Sequence, residues 1–209
     1  MTDRERAGQQ ALKFAEDLWK RGDFWESETS EYEWARCARI ISILRGARYH
    51  RGLELGCGAG FFTRLLAPHV DQLVAYDISP SAIARARAAG DDASIDFRTG
   101  NAMDQAWRAD GPWDLVVMNE TICYLGWLYS FFDVAWFAAE LHAATRPGGH
   151  FLMGNTTDRQ YDKLLLPYII RTYRDLFLNV GFALDREETF QGVKNGVEFE
   201  VLISLFARP

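Results

Sequence analysis

The sequence predicts an α/β fold in which a doubly wound, mostly parallel sheet is covered by helices on both faces. Three observations predict it. Short apolar strand-like runs alternate with helical stretches from residue 53 to about residue 118, and the first run ends in closely spaced glycines ahead of a helix. An Asn-Gly pair near the C-terminus joins two further strand-like runs into a hairpin. A chain of 209 residues supports one such core and is slightly long for a minimal one, so a single domain with a helical appendage is expected.

The elements follow in order. From Glu5 to Lys20, Leu12, Ala15, Leu18 and Trp19 recur near helical spacing, and Gly22 ends the helix. Ser30-x-x-Glu33 has the form of a capping box ahead of Trp34, Cys37, Ile40, Ile41 and Leu44, with Gly46 as the stop. Strand Leu53 to Leu55, helix Phe61 to Ala67, strand Leu73 to Tyr76 and helix Ser81 to Ala89 come next; Ser79 as N-cap with Pro80 at the first helical position marks that last start. A third strand lies at Ile95 to Arg98, a fourth at Asp114 to Met118, and a fifth at His150 to Gly154 after the turn Pro147-Gly148-Gly149. The run from Asp158 to Asn179 reads as a helix or a pair broken around Pro167, and Leu164 to Phe182 is rich enough in large apolar residues to line an acceptor pocket or to be core. Strands Leu184 to Phe190 and Glu198 to Ala207 close the chain.

Composition removes several function classes. With 23 basic and 29 acidic residues the net charge is -6, which argues against the phosphate-neutralising surface of a nucleic-acid binder. Cys37, Cys57 and Cys123 form neither a close pair nor a metal-ligand spacing, and His50, His69, His142 and His150 are scattered, so no metal site is expected and the thiols read as reduced. There is no Gly-x-Ser-x-Gly elbow and no Walker lysine, so neither a hydrolase nor a nucleotide triphosphatase has support. The N-terminus is a charged run with no apolar region behind it, and no stretch approaches the roughly 20 apolar residues that span a bilayer. A cytoplasmic protein, monomer or homodimer, with no membrane or nucleic-acid partner is the expectation.

The chemistry concentrates in Gly52-Leu53-Glu54-Leu55-Gly56-Cys57-Gly58-Ala59-Gly60. Glycines let a strand turn sharply and bring its backbone against a ligand. A dinucleotide fingerprint runs Gly-x-Gly-x-x-Gly, but here the third glycine comes one residue early, Phe61-Phe62 follow, and Glu54 puts negative charge nearby. That suits a cation better than a pyrophosphate, and counts against an NAD(P)-dependent oxidoreductase. Asp77 closes the second strand, where a carboxylate accepts ribose hydroxyls; a turn or cap aspartate before Ser79-Pro80 is the plainer alternative.

Glu-x-Gly-x-Gly-x-Gly on a first strand resembles motif I of the class I S-adenosylmethionine-dependent methyltransferases. The resemblance implies a Rossmann-like sheet of strand order 3-2-1-4-5-7-6 and S-adenosyl-L-methionine as cofactor, with S-adenosyl-L-homocysteine as product. It implies that Glu54, Gly56, Gly58 and Gly60 hold the methionine end, that Asp77 holds the ribose and that Ile78 walls the adenine. Gly100-Asn101-Ala102-Met103-Asp104 stands where the family usually has Gly-Asp-Ala; Asn101 keeps a carbonyl acceptor for the adenine amino group but loses the charge, and the backbone of Ala102 can reach the ring. A simple Asn turn explains Asn101 too.

Asn119-Glu120-Thr121-Ile122-Cys123-Tyr124 begins where the fourth strand ends, at the ligand crevice of such sheets. The methyl acceptor is expected here. Glu120 is the candidate base, or the group that binds a cationic acceptor, with Tyr124 as its hydrogen-bonding partner and Asn119 beside the cofactor. Alternatively Glu120 caps a following helix or touches the cofactor. Trp25 and Tyr32 lie in a segment that resembles the N-terminal region of the nodulation protein S family of N-methyltransferases, a likeness extending to Phe62-Thr63, Leu66-Ala67-Pro68, Ala82 to Arg87 and Leu115 to Val117. It implies a lid of N-terminal helices over the cofactor; anchoring of those helices explains the same aromatics. The expected division of the one domain is a helical cap (1–48), a cofactor-binding core (49–155) and a lid helix with terminal hairpin (156–209). The expected activity is methylation of a small molecule, an amino group of a sugar or specialised metabolite ahead of a hydroxyl. A non-catalytic S-adenosylmethionine-binding protein is the other alternative.

Overall fold

The computed structural model describes residues 2–23, 25–157 and 165–209. Helices α1 (Asp3–Trp19) and α2 (Glu31–Ser42) precede the sheet. Then come β1 (Tyr49–Leu55), α3 (Phe61–Leu66), β2 (Val70–Asp77), α4 (Pro80–Ala88), β3 (Ile95–Thr99) and β4 (Trp113–Asn119), with short 3-10 turns at Ala102–Asp104 and Ala106–Asp110 before β4. The chain continues through α5 (Ile122–Leu128), α6 (Phe131–Ala144), β5 (Thr145–Thr157), α7 (Pro167–Asn179), β6 (Ala183–Lys194) and β7 (Val197–Ala207).

The strand order is β3-β2-β1-β4-β5-β7-β6, parallel throughout except that β7 runs antiparallel to both β5 and β6. This is the expected order. Because the winding reverses between β1 and β4, their carboxyl ends open a crevice, and the register Leu55 to Tyr76 and Glu54 to Val117 brings the ends of β1, β2 and β4 side by side.

Helices cover both faces, so the central strands have no polar side. In β4, Val116 and Met118 enter one core with Phe137, Phe151, Phe177 and Phe206, while Leu115 and Val117 enter another with Ile40, Leu44, Phe62 and Leu66. Such a strand reads as a continuous apolar run. In the terminal hairpin Asn195 (φ 51°) and Gly196 (φ 78°) supply the two left-handed residues of a tight primed turn.

Several expectations need correction. Ser30 is the N-cap of α2, but its side chain makes no cap hydrogen bond, and Glu33 pairs with Arg36 instead of reaching back. The capping box belongs to α1, between Thr2 and Glu5. Pro167 starts α7 rather than breaking a helix, and the part of that expected helix over residues 158–164 lies outside the described residues. Ile170, Tyr173, Leu176 and Phe177 of α7 are buried in the main core, so they pack rather than line a pocket. The turn at Gly148 (φ 74°) lies within β5, which starts earlier than expected. Among the described residues no helix is long and apolar enough to cross a membrane.

Candidate functional site

The glycine loop leaves β1 with Gly56, Gly58 and Gly60 all at positive φ (84°, 54° and 79°). Close approach adds to the conformational demand. A Cβ on Gly56 would lie 2.3 Å from the Thr121 hydroxyl, and one on Gly58 would lie 2.6 Å from the Trp19 ring. The backbone N–H groups of Gly56 and Cys57 donate to the Tyr76 carbonyl, at 2.8 and 2.9 Å. Gly58 N–H donates to Asp77 Oδ2 at 2.9 Å, so the loop is tied to the end of β2.

Asp77 is buried, and its Oδ1 accepts from Ser79 N–H at 2.8 Å. Burial pushes its carboxyl upward, with the Ser79 and Gly58 amides opposing. The aspartate therefore both organises the turn before α4 and stands beside the loop. Glu54 is enclosed behind the loop, and its Oε2 has no hydrogen-bond partner among the described residues. Burial pushes its carboxyl up to about 7, opposed by the Thr63 hydroxyl beside it and reinforced by Asp77. A glycine cradle, an orphaned buried carboxylate oxygen and a second carboxylate at the next strand end fit a ligand carrying a positive charge and hydroxyl groups.

Helix α1 runs across this edge. Trp19 lies on Gly58, Glu16 reaches the N-terminus of α4, Gly8 packs beside the Asn101 amide and Tyr129 hydroxyl, and the Arg4 guanidinium donates to the Met103 carbonyl. Glu16 accepts from Ser81 N–H and Ser81 Oγ, both at 2.9 Å, and from the Ser79 hydroxyl. The Ser79 hydroxyl and Ser81 amide bonds push its carboxyl down to about 2. Trp25 packs on Trp19 with ring centroids 5.3 Å apart. Sequence reading missed Trp19 and Glu16 as site residues. On an amphipathic helix nothing local marks them.

Asn101 behaves as a turn residue. Its Oδ1 accepts from Met103 N–H at 3.0 Å and its Nδ2 donates to the Tyr129 hydroxyl at 2.7 Å, so the carbonyl expected for adenine already holds the 3-10 turn. The Met103 side chain is buried in the main core, which leaves only its backbone for a ligand. Ile78 and Ala102 are partly buried against the same core.

Glu120 follows β4 in a left-handed conformation (φ 55°), uncommon for a non-glycine residue. Its Oε1 accepts three hydrogen bonds: from Thr156 N–H at 2.8 Å, Thr156 Oγ1 at 2.6 Å and Arg36 Nη1 at 3.0 Å. Arg36 also donates to Asn119 Oδ1 at 2.9 Å and pairs with Glu33, whose other oxygen accepts from Lys194 at 3.0 Å. Burial pushes the Glu120 carboxyl upward, with Arg36 foremost among the groups opposing it. Glu120 does not cap α5; that position belongs to Thr121.

Tyr32 packs between Phe190 and Phe199 with its hydroxyl on the Thr156 and Glu120 side, so it and Trp25 serve different walls. Tyr124, on α5, turns its ring toward Phe14 of α1 at 5.7 Å. Thus Asn119, Glu120 and Tyr32 come together, while Tyr124 lies against the cap. Arg36 and Thr156 were missed in the sequence. No group of three or more His, Cys, Asp or Glu side chains among the described residues could hold a metal ion.

Residues 53–153 match the family model of a methyltransferase domain. Nodulation protein S of Rhizobium tropici is 31% identical over 139 residues, 65% of this chain and 56% of that protein. Its counterpart in Bradyrhizobium diazoefficiens is 34% identical over 133 residues, 59% of this chain and 54% of the relative. The chain thus spans little more than half the length of these relatives. Among solved structures, the N-methyltransferase NodS of Bradyrhizobium japonicum, in complex with S-adenosyl-L-homocysteine, superposes with a TM-score of 0.75 at 22% identity, covering 93% of this chain and 98% of that one. Residues 53–153 thus match a methyltransferase domain, and the chain resembles the nodulation protein S group of the class I S-adenosylmethionine-dependent methyltransferases.

Proposed function

We propose that the chain is an S-adenosyl-L-methionine-dependent methyltransferase acting on a small-molecule acceptor, an amino group of a sugar or specialised metabolite. One observation carries the reading: the glycine loop and Asp77, at the ends of β1 and β2, share a strand edge with Glu120, at the end of β4. A cofactor seat and an acceptor seat therefore adjoin. When bound, the cofactor supplies an electrophilic methyl group on a sulfonium.

The chain's own residues have separable tasks. The backbone of Gly56 to Gly60 admits the methionine end closely, and Glu54, its carboxyl raised by burial to about 7, supplies negative charge as it ionises beside the cation. Asp77 takes the ribose hydroxyls with the lone pairs that its two backbone amides leave, while Ile78 and the Ala102 backbone flank the adenine. Trp25, through Trp19, and α1 exclude water from above. Methyl transfer needs an acceptor held close with its lone pair exposed, so an aminium must first lose a proton. Glu120 is the group placed to take it, and a carboxyl raised by burial is a better base than an exposed one. The N-methyltransferase named among the similar structures supports an amine over a hydroxyl.

Calorimetry with S-adenosyl-L-homocysteine and NAD, followed by methyl transfer to paired amino and hydroxyl compounds, tests the reading. Heat with the former and methylation of the amino member is expected. Methylation of hydroxyls alone would make the enzyme an O-methyltransferase, binding without transfer would make it a binding protein, and heat only with NAD would end the proposal.

A further inference from the structure

Glu120 is held from two directions by segments remote in sequence. Thr156 on β5 contributes its backbone N–H and its hydroxyl, and Arg36 on α2 contributes its guanidinium, all to the same oxygen. The second oxygen makes no hydrogen bond to a described residue, and the side chain keeps 27% of its surface exposed while that of Arg36 keeps 9%. One oxygen is clamped, and the side chain as a whole stays partly exposed. Arg36 is itself held from behind: Glu33 takes its Nε and Nη2, and Lys194, at the end of β6, takes the other oxygen of Glu33. The four charges sum to zero, so Arg36 can balance Glu120 without leaving a surplus cation buried in the cap.

We infer that Arg36 and Thr156 are positioning residues for Glu120: they fix one carboxylate oxygen, keep the side chain ionised in its buried setting, and aim the other oxygen at the N–H of a cationic amine acceptor. The inference rests on the proposed methyltransferase reading for the nature of the acceptor, and on geometry alone for the clamp. The step it serves is one proton transfer. An aminium acceptor and the Glu120 carboxylate become a neutral amine, its lone pair exposed, and a carboxylic acid, with no other bond changed. The left-handed backbone of Glu120 accords with a clamp, since strained non-glycine residues persist where surrounding contacts over-determine them.

Groups on several elements face Glu120. From α2 these are Tyr32, Glu33, Arg36 and Cys37, from α5 Cys123, from β5 the uncharged Thr156, and Lys194 acts through Glu33. Burial pushes both thiols and the phenol upward, so they stay neutral near pH 7. Arg36 is thus the cation in direct contact. A neighbouring cation ordinarily lowers a carboxyl by about 1–3 pH units.

The test follows Glu120 protonation in the unliganded protein by carbon-13 NMR of labelled glutamate, with Glu120→Gln to assign the signal. Arg36→Met should raise the Glu120 midpoint by about one pH unit or more. Arg36→Lys should restore most of the shift, and Thr156→Val should move it the same way by less. With an amine acceptor, the acid limb of kcat/KM should move in parallel. A midpoint unmoved in a folded Arg36→Met protein would show that the pair only anchors α2 to the sheet. Should that variant not fold, Thr156→Val decides, and an unmoved midpoint there overturns the clamp. A wild-type protein that binds no S-adenosyl-L-homocysteine would sink the methyltransferase reading while the titration still judged the clamp; normal methylation with unmoved midpoints would sink the clamp alone.

Discussion

On the glycine-loop side of the strand edge, Gly56, Gly58 and Asp77 sit on consecutive strand ends, and their hydrogen bonds close within that one unit. On the Glu120 side, the same edge is assembled from α2, the end of β4, the end of β5 and the tip of the β6–β7 hairpin. The first region is a supersecondary motif that carries its own geometry. The second exists only once the cap and the hairpin have docked, so its electrostatics depend on contacts a local change elsewhere can break. Under the proposed reading, a cofactor seat built mainly from one local unit beside an acceptor seat built from distant segments would let one scaffold vary its acceptor without losing its cofactor.

The largest effect that sharpens this contrast is expected from Glu120→Gln. The amide keeps size and can still accept from Arg36 and Thr156, but it cannot take a proton. Turnover should fall by about 10²–10⁴-fold, the usual contribution of a positioned base, while affinity for S-adenosyl-L-homocysteine changes little. Equal loss of both would place Glu120 on the cofactor side and merge the two regions.

Asp77→Ala attacks the other side. It removes the acceptor of the Gly58 and Ser79 amides as well as a ribose partner. Cofactor binding should weaken by at least about 1.5 kcal/mol, roughly tenfold, measured by calorimetry. Unchanged affinity would take the ribose assignment away from Asp77.

The same contrast explains what the sequence disclosed. Positive φ at Gly56, Gly58 and Gly60, the N-cap at Ser79 and the Asn195-Gly196 turn are local demands, and each was readable from neighbouring residues. An Asn that holds its own turn and an Asn that offers its carbonyl look alike in sequence, and the Asn101 oxygen, bonded once to Met103 N–H, keeps a second lone pair. Helix α6 went unseen because Phe131, Phe132, Val134, Trp136 and Phe137 leave it apolar on nearly every side, with no amphipathic period to detect. Arg36 and Glu120 are 84 positions apart, and Glu16 is 63 from Ser79. No window of sequence holds such pairs together, and Ser30-x-x-Glu33 has the form of a capping box although Glu33 serves Arg36.

A smaller effect is expected from Trp25→Ala, which removes a ring packed on Trp19 above the glycine loop. Tilted aromatic pairs contribute about 0.5–1.5 kcal/mol beyond burial, so S-adenosyl-L-homocysteine should leave about two to ten times faster in stopped flow, with acceptor KM nearly unchanged. A fall in Tm with ordinary release would reduce Trp25 to packing and leave the cap without a role at the cofactor.

The smallest expected effect concerns Glu16, the contact that fastens α1 to the start of α4. Its carboxyl is held down to about 2 in the folded protein, against 4.5 ordinarily, by the Ser79 hydroxyl and the Ser81 amide. A carboxyl whose folded value is depressed stabilises the docked state fully above its ordinary value, and loses that contribution as pH falls from about 4.5 toward 2. The side chain is partly exposed, so solvent screening limits the gain, and Glu16→Gln should speed ligand release at pH 7 by less than about fivefold. The ratio of mutant to wild-type release rates should then shrink toward one between pH 5 and about 3, because protonation does to the wild type what the substitution does at neutral pH. Comparing the two proteins at each pH cancels the titration of Glu54 and most of that of Asp77, whose carboxyl Glu16 itself pushes upward. A ratio flat across that range would mean that Glu16 orders α4 without fastening the cap, and that α1 is held over this edge by its other contacts, those of Arg4, Gly8, Phe14 and Trp19.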